Sequence, residues 1–306
     1  MTVLVTGGAG FIGANLVRSL LGKGHDVRVL DDLSTGILAN LDGLSVDVVE
    51  GSITDPDAVA AAAADASAIV HLAARGSVPR SVADPVGAHT ANATGTLLVL
   101  EAARASGAHV VFSSSSSVYG VNTALPKREE MWTQPMSPYG ASKLAAESYV
   151  MSYRSAYGLD AIALRFFNVY GPLQRPDHDY AAAIPRFAWR ALAGEPLVVH
   201  GDGEQTRDFT HVDAVVAVTM SALERRLSWD RPVNLAFGER TRVLDVVEEI
   251  GHQLGRDLDV VHEAPRPGDI RDSQNDPTLL RELFPEVSPV PFRDGIASVL
   301  DWMRRA

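Results

Sequence analysis

Met1-Thr-Val-Leu-Val5 runs into Thr6-Gly7-Gly8-Ala9-Gly10-Phe11-Ile12-Gly13, and the reading of this stretch decides the fold. The first part is apolar from its second residue and reads as a buried strand. Leu16, Val17, Leu20 and Leu21 then recur at helical spacing, and Gly22-Lys23-Gly24 stops that helix. A second strand, 26–30, ends in Asp31-Asp32, with Asp31 placed 18 residues beyond Gly13.

Strand, glycine turn, helix, strand and acid in this order read as a dinucleotide site rather than a flexible turn. Gly7, Gly10 and Gly13 let the backbone approach a pyrophosphate, and the helix that opens at Phe11 and Ile12 turns free N–H groups toward it. Asp31 can accept hydrogen bonds from both ribose hydroxyls and repels an added phosphate, which points to NAD rather than NADP. Asp32 beside it caps the following turn or joins the same site.

The alternation continues outward from this unit. Strands are expected at 46–50, 68–72, 109–112 and 161–165, with helices near 57–64, 84–106 and 138–157. Strands alternating with helices predict an α/β fold, a Rossmann-type doubly wound parallel sheet. Past Arg165 the rhythm breaks at closely spaced prolines and glycines, which predicts a smaller mixed lobe with helices near 181–193, 213–226, 243–254 and 292–305. The expected division is 1–165 for the cofactor domain, with about 212–236 returning to it, and 166–306 for the substrate lobe. A length of 306 residues suits two such parts.

With 27 basic and 38 acidic side chains the formal charge is 27 − 38 = −11, the wrong sign for a nucleic-acid or anionic-membrane binder. There is no cysteine, so disulfides, thiolate metal sites and cysteine nucleophiles are excluded. No histidine–carboxylate spacing points to a metal, and no run of about 18 apolar residues points to a membrane span. No basic leader precedes the first strand, so a cytoplasmic protein is expected.

Tyr139 and Lys143 lie four apart in the helix 138–157 and therefore share a face. A cation near a phenol favours the phenolate, which could then act as a general base on a hydroxyl. Upstream, Ser113–Ser117 follows the strand 109–112 as a loop at the carboxyl end of the sheet, where ligands of such folds bind. A serine there could share a hydrogen bond with Tyr139 and a substrate hydroxyl. His71 ends a buried strand and reads as structural, His211 has no assigned role, and Arg75 faces a phosphate or a neighbouring carboxylate.

Six motifs in order carry a resemblance: Thr6-Gly-Gly-Ala-Gly-Phe-Ile-Gly13, His71-Leu-Ala-Ala74, Ser115-Ser-Ser-Val-Tyr-Gly120, Ser137-Pro-Tyr-Gly-Ala-Ser-Lys143, Arg165-Phe-Phe-Asn-Val-Tyr-Gly-Pro172 and Arg207-Asp-Phe-Thr-His-Val212. Over essentially its whole length the chain resembles the extended short-chain dehydrogenase/reductases, and among them the nucleotide-sugar 4-epimerases. The resemblance implies Ser115, Tyr139 and Lys143 as the catalytic set, with Tyr139 and Lys143 also at the cofactor. It places Leu72, Ala73 and Ala74 alongside NAD and Asn92 near the nicotinamide. Ser52 and Ile53 follow Gly51 where the family often has an acid at the adenine. Asn168, Arg207, Arg266 and Asp269 match positions that hold phosphate and uridine of a UDP-sugar, and Val198-Val199 would lie against the base. A homodimer paired through the helices 84–106 and 138–157 is implied in the same way.

Related 4,6-dehydratases carry an acid pair just before Val-Tyr-Gly, and related decarboxylating enzymes carry a glutamate at the second place. Here Ser116 and Ser117 stand there, and a serine cannot supply the acid for water loss, so epimerisation is expected. The stretches 114–126 and 174–177 are most similar to UDP-glucuronate 4-epimerases, in which Arg175 and the serines at 115 and 116 would face the C6 carboxylate. Asn168 stands where that subfamily tends to have threonine, and asparagine at this position is common among the neutral-sugar epimerases. UDP-glucuronate is thus the expected substrate, with UDP-glucose/galactose and the N-acetyl forms as the alternative, and a non-catalytic NAD-binding sensor behind both.

Overall fold

Six strands from the first part of the chain lie parallel: β1 (Thr2–Thr6), β2 (Asp26–Asp31), β3 (Asp47–Glu50), β4 (Ala68–His71), β5 (His109–Ser115) and β6 (Ala161–Phe166). Their order is β3-β2-β1-β4-β5-β6, and Val233–Leu235 adds a seventh strand beyond β6. The computed structural model describes residues 1–177, 181–265 and 270–305. Val3, Leu4, Val5, Ile69 and Val70 are fully buried, as a sheet covered on both faces requires. Strand order reverses between β1 and β4, so the crevice for a ligand opens where Thr6 and His71 end.

The chain divides into two units. The first comprises Met1–Asn122, Glu129–Phe166 and Val216–Asn234; the second comprises Thr123–Arg128, Phe167–Val215 and Leu235–Ala306. In the first, Leu4, Ile69, Val110 and Phe112 of the sheet pack with Val99, Leu100, Ala146 and Val150 of two helices. The alanine-rich helix Pro56–Ala63 packs into this core. Asp55 caps it, and Val59, Ala62 and Ala63 enter the core, because small side chains let the helix sit close to the sheet.

One sequence expectation is refined and one changes. The helix expected over 84–106 runs continuously from Pro85 to Ser106, with one wider π-type turn over Thr90–Thr94. Gly95 comes so close to Ile53 that a Cβ there would lie 2.7 Å from its Cδ1, and the wider turn accommodates that approach. The serines expected as a loop are strand: Ser113, Ser114 and Ser115 continue β5 in register with Leu164, Arg165 and Phe166. Pairing with β6 outweighs the low strand preference of serine.

In the second unit, helices Ala183–Ala193, Val243–Leu254 and Phe292–Met303 contribute Ile184, Phe187, Val246, Ile250, Ile296 and Leu300 to one core. Leu197–His200 pairs in parallel with Val260–Glu263. Asp208 is fully buried there, its Oδ2 accepting from the backbone N–H of Gly238 at 3.0 Å and of Asn275 at 2.9 Å. Burial nevertheless raises its pKa to about 7, against the two bonds, with the charge of Glu239 adding to the effect. Between pH 3.8 and about 7 the folded chain retains a proton that the unfolded chain releases, so this group's contribution to stability falls as pH rises through that window. Asp208→Asn should flatten that slope. The variant's stability relative to wild type, measured by urea unfolding at pH 4.5 and pH 8, should improve by up to about 4 kcal/mol at the higher pH. An unchanged difference between the two pH values would refute the assignment.

Candidate active site

The glycine turn is built on close backbone approach. Gly7 has φ +72°, and a Cβ there would lie 2.7 Å from the backbone nitrogen of Ala73. A Cβ on Gly13 would run into the carbonyl oxygen of Gly7. Gly10 stands at the N-cap of α1 (Phe11–Gly22) with no capping side chain, which leaves the helix's first N–H groups facing the turn. Asp31, buried at the end of β2, accepts from the N–H of Ala9 and of Leu33, each at 2.9 Å. Burial raises its pKa, and these two bonds oppose the rise. Asp31 therefore braces the turn while spare lone pairs on its two oxygens remain for a ribose. Asp32 is exposed and caps the next turn through the N–H and hydroxyl of Ser34, at 3.0 and 2.6 Å. Bare backbone, an uncapped helix start and a braced acid fit a dinucleotide.

Beyond β4, Leu72, Ala73 and Ala74 remain partly open. A chain of hydrogen bonds fixes their surroundings. The hydroxyl of Thr96 donates to the carbonyl of Asn92 at 2.5 Å, so it accepts from His71 Nε2 at 3.0 Å. His71 Nδ1 then accepts from Thr6 at 2.6 Å, and Thr6 accepts from the N–H of Ala73 at 3.3 Å. His71 is a neutral, buried strut, its pKa lowered to about 3 by burial and by the charge of Lys143. Asn92 is buried too, accepting from the N–H of Arg75 at 2.8 Å and donating to Ser142 at 2.9 Å. Arg75 pairs with Asp84 at 2.5 Å, a neighbouring carboxylate. Ser52 bonds Thr54 at 2.8 Å, and Ile53 is buried against Gly95.

The helix Pro138–Tyr157 starts beside the end of β5. Ser137 caps it by accepting from Gly140, and a Cβ on Gly140 would lie 2.7 Å from the carbonyl of Ser117. That proximity brings Tyr139 to Ser115, and their hydroxyls form a hydrogen bond. Ser115 also accepts from the N–H of Ser117 at 3.1 Å, where Ser116 and Ser117 open a short turn. Burial raises the Tyr139 pKa, and the bond with Ser115 opposes it. Lys143 is buried, with Nζ donating to the carbonyl of Ser113 at 2.7 Å and lying 5.0 Å above the Phe112 ring. Burial lowers its pKa to about 7, against the charge of Glu147. The ammonium is thus anchored to β5, while the hydroxyl partner of Tyr139 is Ser115.

Sequence reasoning passed over Glu147 and Arg165 as a pair. Arg165 Nε and Nη2 meet Glu147 at 2.9 and 2.7 Å, with both side chains buried. The signal was present, since Glu147 continues the four-residue spacing of Tyr139 and Lys143.

The expected sugar-nucleotide residues of the second unit have separate surroundings. Asn168 is partly exposed and donates to the carbonyl of Asp208 at 3.4 Å. Arg207 donates to the carbonyls of Thr206 and Arg271 at 2.9 and 3.2 Å. Val199 is fully buried in its unit's core, and strand alternation gives the open side of Leu197–His200 to Val198. Arg175 is exposed and forms a two-pronged pair with Asp177 at 2.8 and 2.7 Å. Arg266 and Asp269 lie outside the described residues. Among the described residues no helix is long and apolar enough to cross a membrane.

Comparison with known proteins places these features. The model of the NAD dependent epimerase/dehydratase family matches residues 3–236. The chain is 39% identical to a UDP-glucose 4-epimerase of Mycolicibacterium smegmatis, over 99% of both chains. It superposes on a UDP-glucose 4-epimerase of Thermotoga maritima solved with UDP-glucose, with a TM-score of 0.94, 35% identity, and coverage of 100% of this chain and 99% of that one. A UDP-glucuronic acid 4-epimerase of Bacillus cereus, solved with UDP-glucuronic acid and NAD, gives a TM-score of 0.89 at 30% identity, covering 100% and 99%.

Proposed function

The chain belongs to the NAD dependent epimerase/dehydratase family, and from that membership we propose that it inverts C4 of a UDP-hexose, interconverting UDP-glucose and UDP-galactose. The observation that carries the reaction class is the end of β5. Ser115 there is bonded to Tyr139, and serines rather than carboxylic acids occupy positions 116 and 117. NAD is the cofactor, and bound at the Gly7–Gly13 turn it would supply hydride acceptance and return at C4. Tyr139 takes the C4 hydroxyl proton and gives it back, and Ser115 orients that hydroxyl through the shared hydrogen bond. Lys143, fixed by the Ser113 carbonyl, supplies the positive charge that favours the phenolate. The Gly7–Gly13 turn and Asp31 hold the dinucleotide, with Leu72, Ala73, Ala74, Ser52 and Ile53 alongside. Inversion then requires only that the 4-keto sugar rotate between the two transfers.

Two observations favour a neutral sugar. Asparagine stands at 168, and the Arg175 fork is already filled by the carboxylate of Asp177. UDP-glucuronate is a second reading, supported by the resemblance of the stretches 114–126 and 174–177 to the uronate epimerases and by the exposure of Arg175. An exposed pair of this kind contributes about 0–1 kcal/mol, so a substrate carboxylate could displace Asp177. Arg207, and Arg266 and Asp269 with it, belong to the UDP end in both readings. For assembly we read a homodimer, a reading that the exposed Val82, Val86 and Tyr149 on helices of the first unit support.

Purified protein supplied separately with UDP-glucose, UDP-glucuronate and UDP-N-acetylglucosamine, with products separated by chromatography, tests the reading. UDP-galactose should form fastest, and Arg175→Ala should leave that turnover within about twofold, the scale of a weak surface pair. Selective conversion of the uronate, lost in Arg175→Ala, would establish the second reading instead. Products lacking water would overturn the reaction class. No turnover by a folded, NAD-bound protein would leave a sensor.

A further inference from the structure

Three consecutive serines of β5 meet three residues of one helix face. The Ser113 carbonyl accepts from Lys143 at 2.7 Å, the Ser114 hydroxyl donates to Glu147 Oε2 at 2.6 Å, and Ser115 bonds Tyr139. The outer two of these contacts belong to the reading above; the middle one has no part in it. Glu147 is buried, and Arg165 closes on it from β6 with two hydrogen bonds. Arg165 is itself fixed. Its Nη1 donates to the Tyr119 hydroxyl at 2.8 Å and to the Glu129 carbonyl at 3.3 Å, and its guanidinium lies 4.9 Å from the Tyr119 ring centre. Tyr119 in turn donates to Asn234 at 2.7 Å, whose N–H donates to the Glu129 carboxylate at 2.9 Å. The carboxylate therefore sits at one end of a network whose other members cannot shift independently.

We propose that Glu147, locked by Ser114 and Arg165, is a positioning residue for the reaction, holding the Lys143 ammonium charged and in register with Tyr139. The inference rests on the reading of Tyr139 and Lys143 as the catalytic pair. Its physical basis is that Lys143 is buried, and a buried ammonium with only a carbonyl and a ring for company loses its proton readily. The Ser113 carbonyl and the Phe112 ring of β5 face it, and the groups coupled to it by charge are the neutral His71 from β4 and Glu147 from its own helix. Of these, Glu147 carries the only countercharge. Burial alone lowers the Lys143 pKa, and Glu147 acts in the opposite direction. A lysine neutral at the working pH could neither favour the Tyr139 phenolate nor donate strongly to a ribose.

The chain has three lysines, Lys23, Lys127 and Lys143, so Lys143 can be titrated directly. In the full-length protein, with lysine ¹³C-labelled at Cε and the signal assigned by its loss in Lys143→Met, NMR should show a midpoint near neutrality. Glu147→Gln should move that midpoint down by a unit or more, a tenfold or greater change in the ionisation constant. Glu147→Asp should restore at least half of the shift. Should Glu147→Gln fail to fold because Arg165 is left unpaired, Glu147→Gln combined with Arg165→Met removes both charges, and a smaller downward shift is expected, because losing the Arg165 cation opposes it. A folded variant whose Lys143 midpoint does not move overturns the proposal. The titration needs no substrate. A shifted midpoint in a protein that turns over no sugar would therefore condemn the epimerase reading and leave the role of Glu147 intact. With turnover present, the basic limb of the kcat–pH profile should move down with the midpoint.

Discussion

Tyr139→Phe should reduce kcat for C4 inversion by about 10²–10⁴-fold, the range for losing a positioned proton-transfer group. The same change should leave NAD affinity and the KM for the UDP-sugar within a few-fold. The deleted hydroxyl bonds Ser115, whereas the dinucleotide reading rests on the backbone of the Gly7–Gly13 turn. Ser115 retains its bond from the N–H of Ser117 at 3.1 Å, so the serine is not left unsatisfied. The cost to folding is then about one hydrogen bond, on the order of 1 kcal/mol. Stopped reactions resolved by chromatography measure kcat and KM, and fluorescence titration measures NAD binding. A phenylalanine variant that keeps more than a tenth of wild-type kcat would remove Tyr139 from the chemistry. A parallel collapse of NAD affinity would instead make it a cofactor-binding residue.

This expectation was reachable from sequence because the helix repeat puts Tyr139 and Lys143 on one face whatever the rest of the chain does. The partners of that face were not legible. Lys143 ends on the Ser113 carbonyl, and a backbone acceptor leaves no mark in side-chain identity. The serines themselves were misjudged for a related reason. Their strand character comes from β6 lying alongside, a neighbour 51 residues away in sequence (Ser113 opposite Leu164). Asp31 was legible as an acid at a strand end, but its grip on the N–H of Ala9 was not. Local periodicity and glycine spacing thus announce the sheet and the cofactor turn. Contacts between distant segments decide charge states and hydrogen-bond partners, and those emerge only when the strands are ordered in space.

The glycine turn supplies the second large effect. Gly13→Ala should weaken NAD binding by roughly a hundredfold, while Gly22→Ala in the same helix should leave it unchanged. At Gly13 the added methyl meets the Gly7 carbonyl and lies 2.7 Å from the Cα of Gly8, both backbone atoms that cannot rotate away. The start of α1 must therefore lift off the turn. Overpacking of this kind costs about 1–3 kcal/mol, and the upper figure corresponds to roughly a hundredfold in affinity when the displaced backbone is the binding surface. At Gly22 nothing lies within 4 Å of the added carbon. There alanine removes the backbone freedom of a helical glycine, which stabilises by about 0.5–1 kcal/mol. Calorimetric titration with NAD on both variants, alongside thermal unfolding of each without cofactor, separates the two effects. Equal NAD affinity in the two variants would mean that close approach of α1 to the Gly7 carbonyl is not what shapes the dinucleotide site. A Gly13 variant that binds NAD normally but melts early would mean that the glycine serves helix–strand packing and not the pyrophosphate.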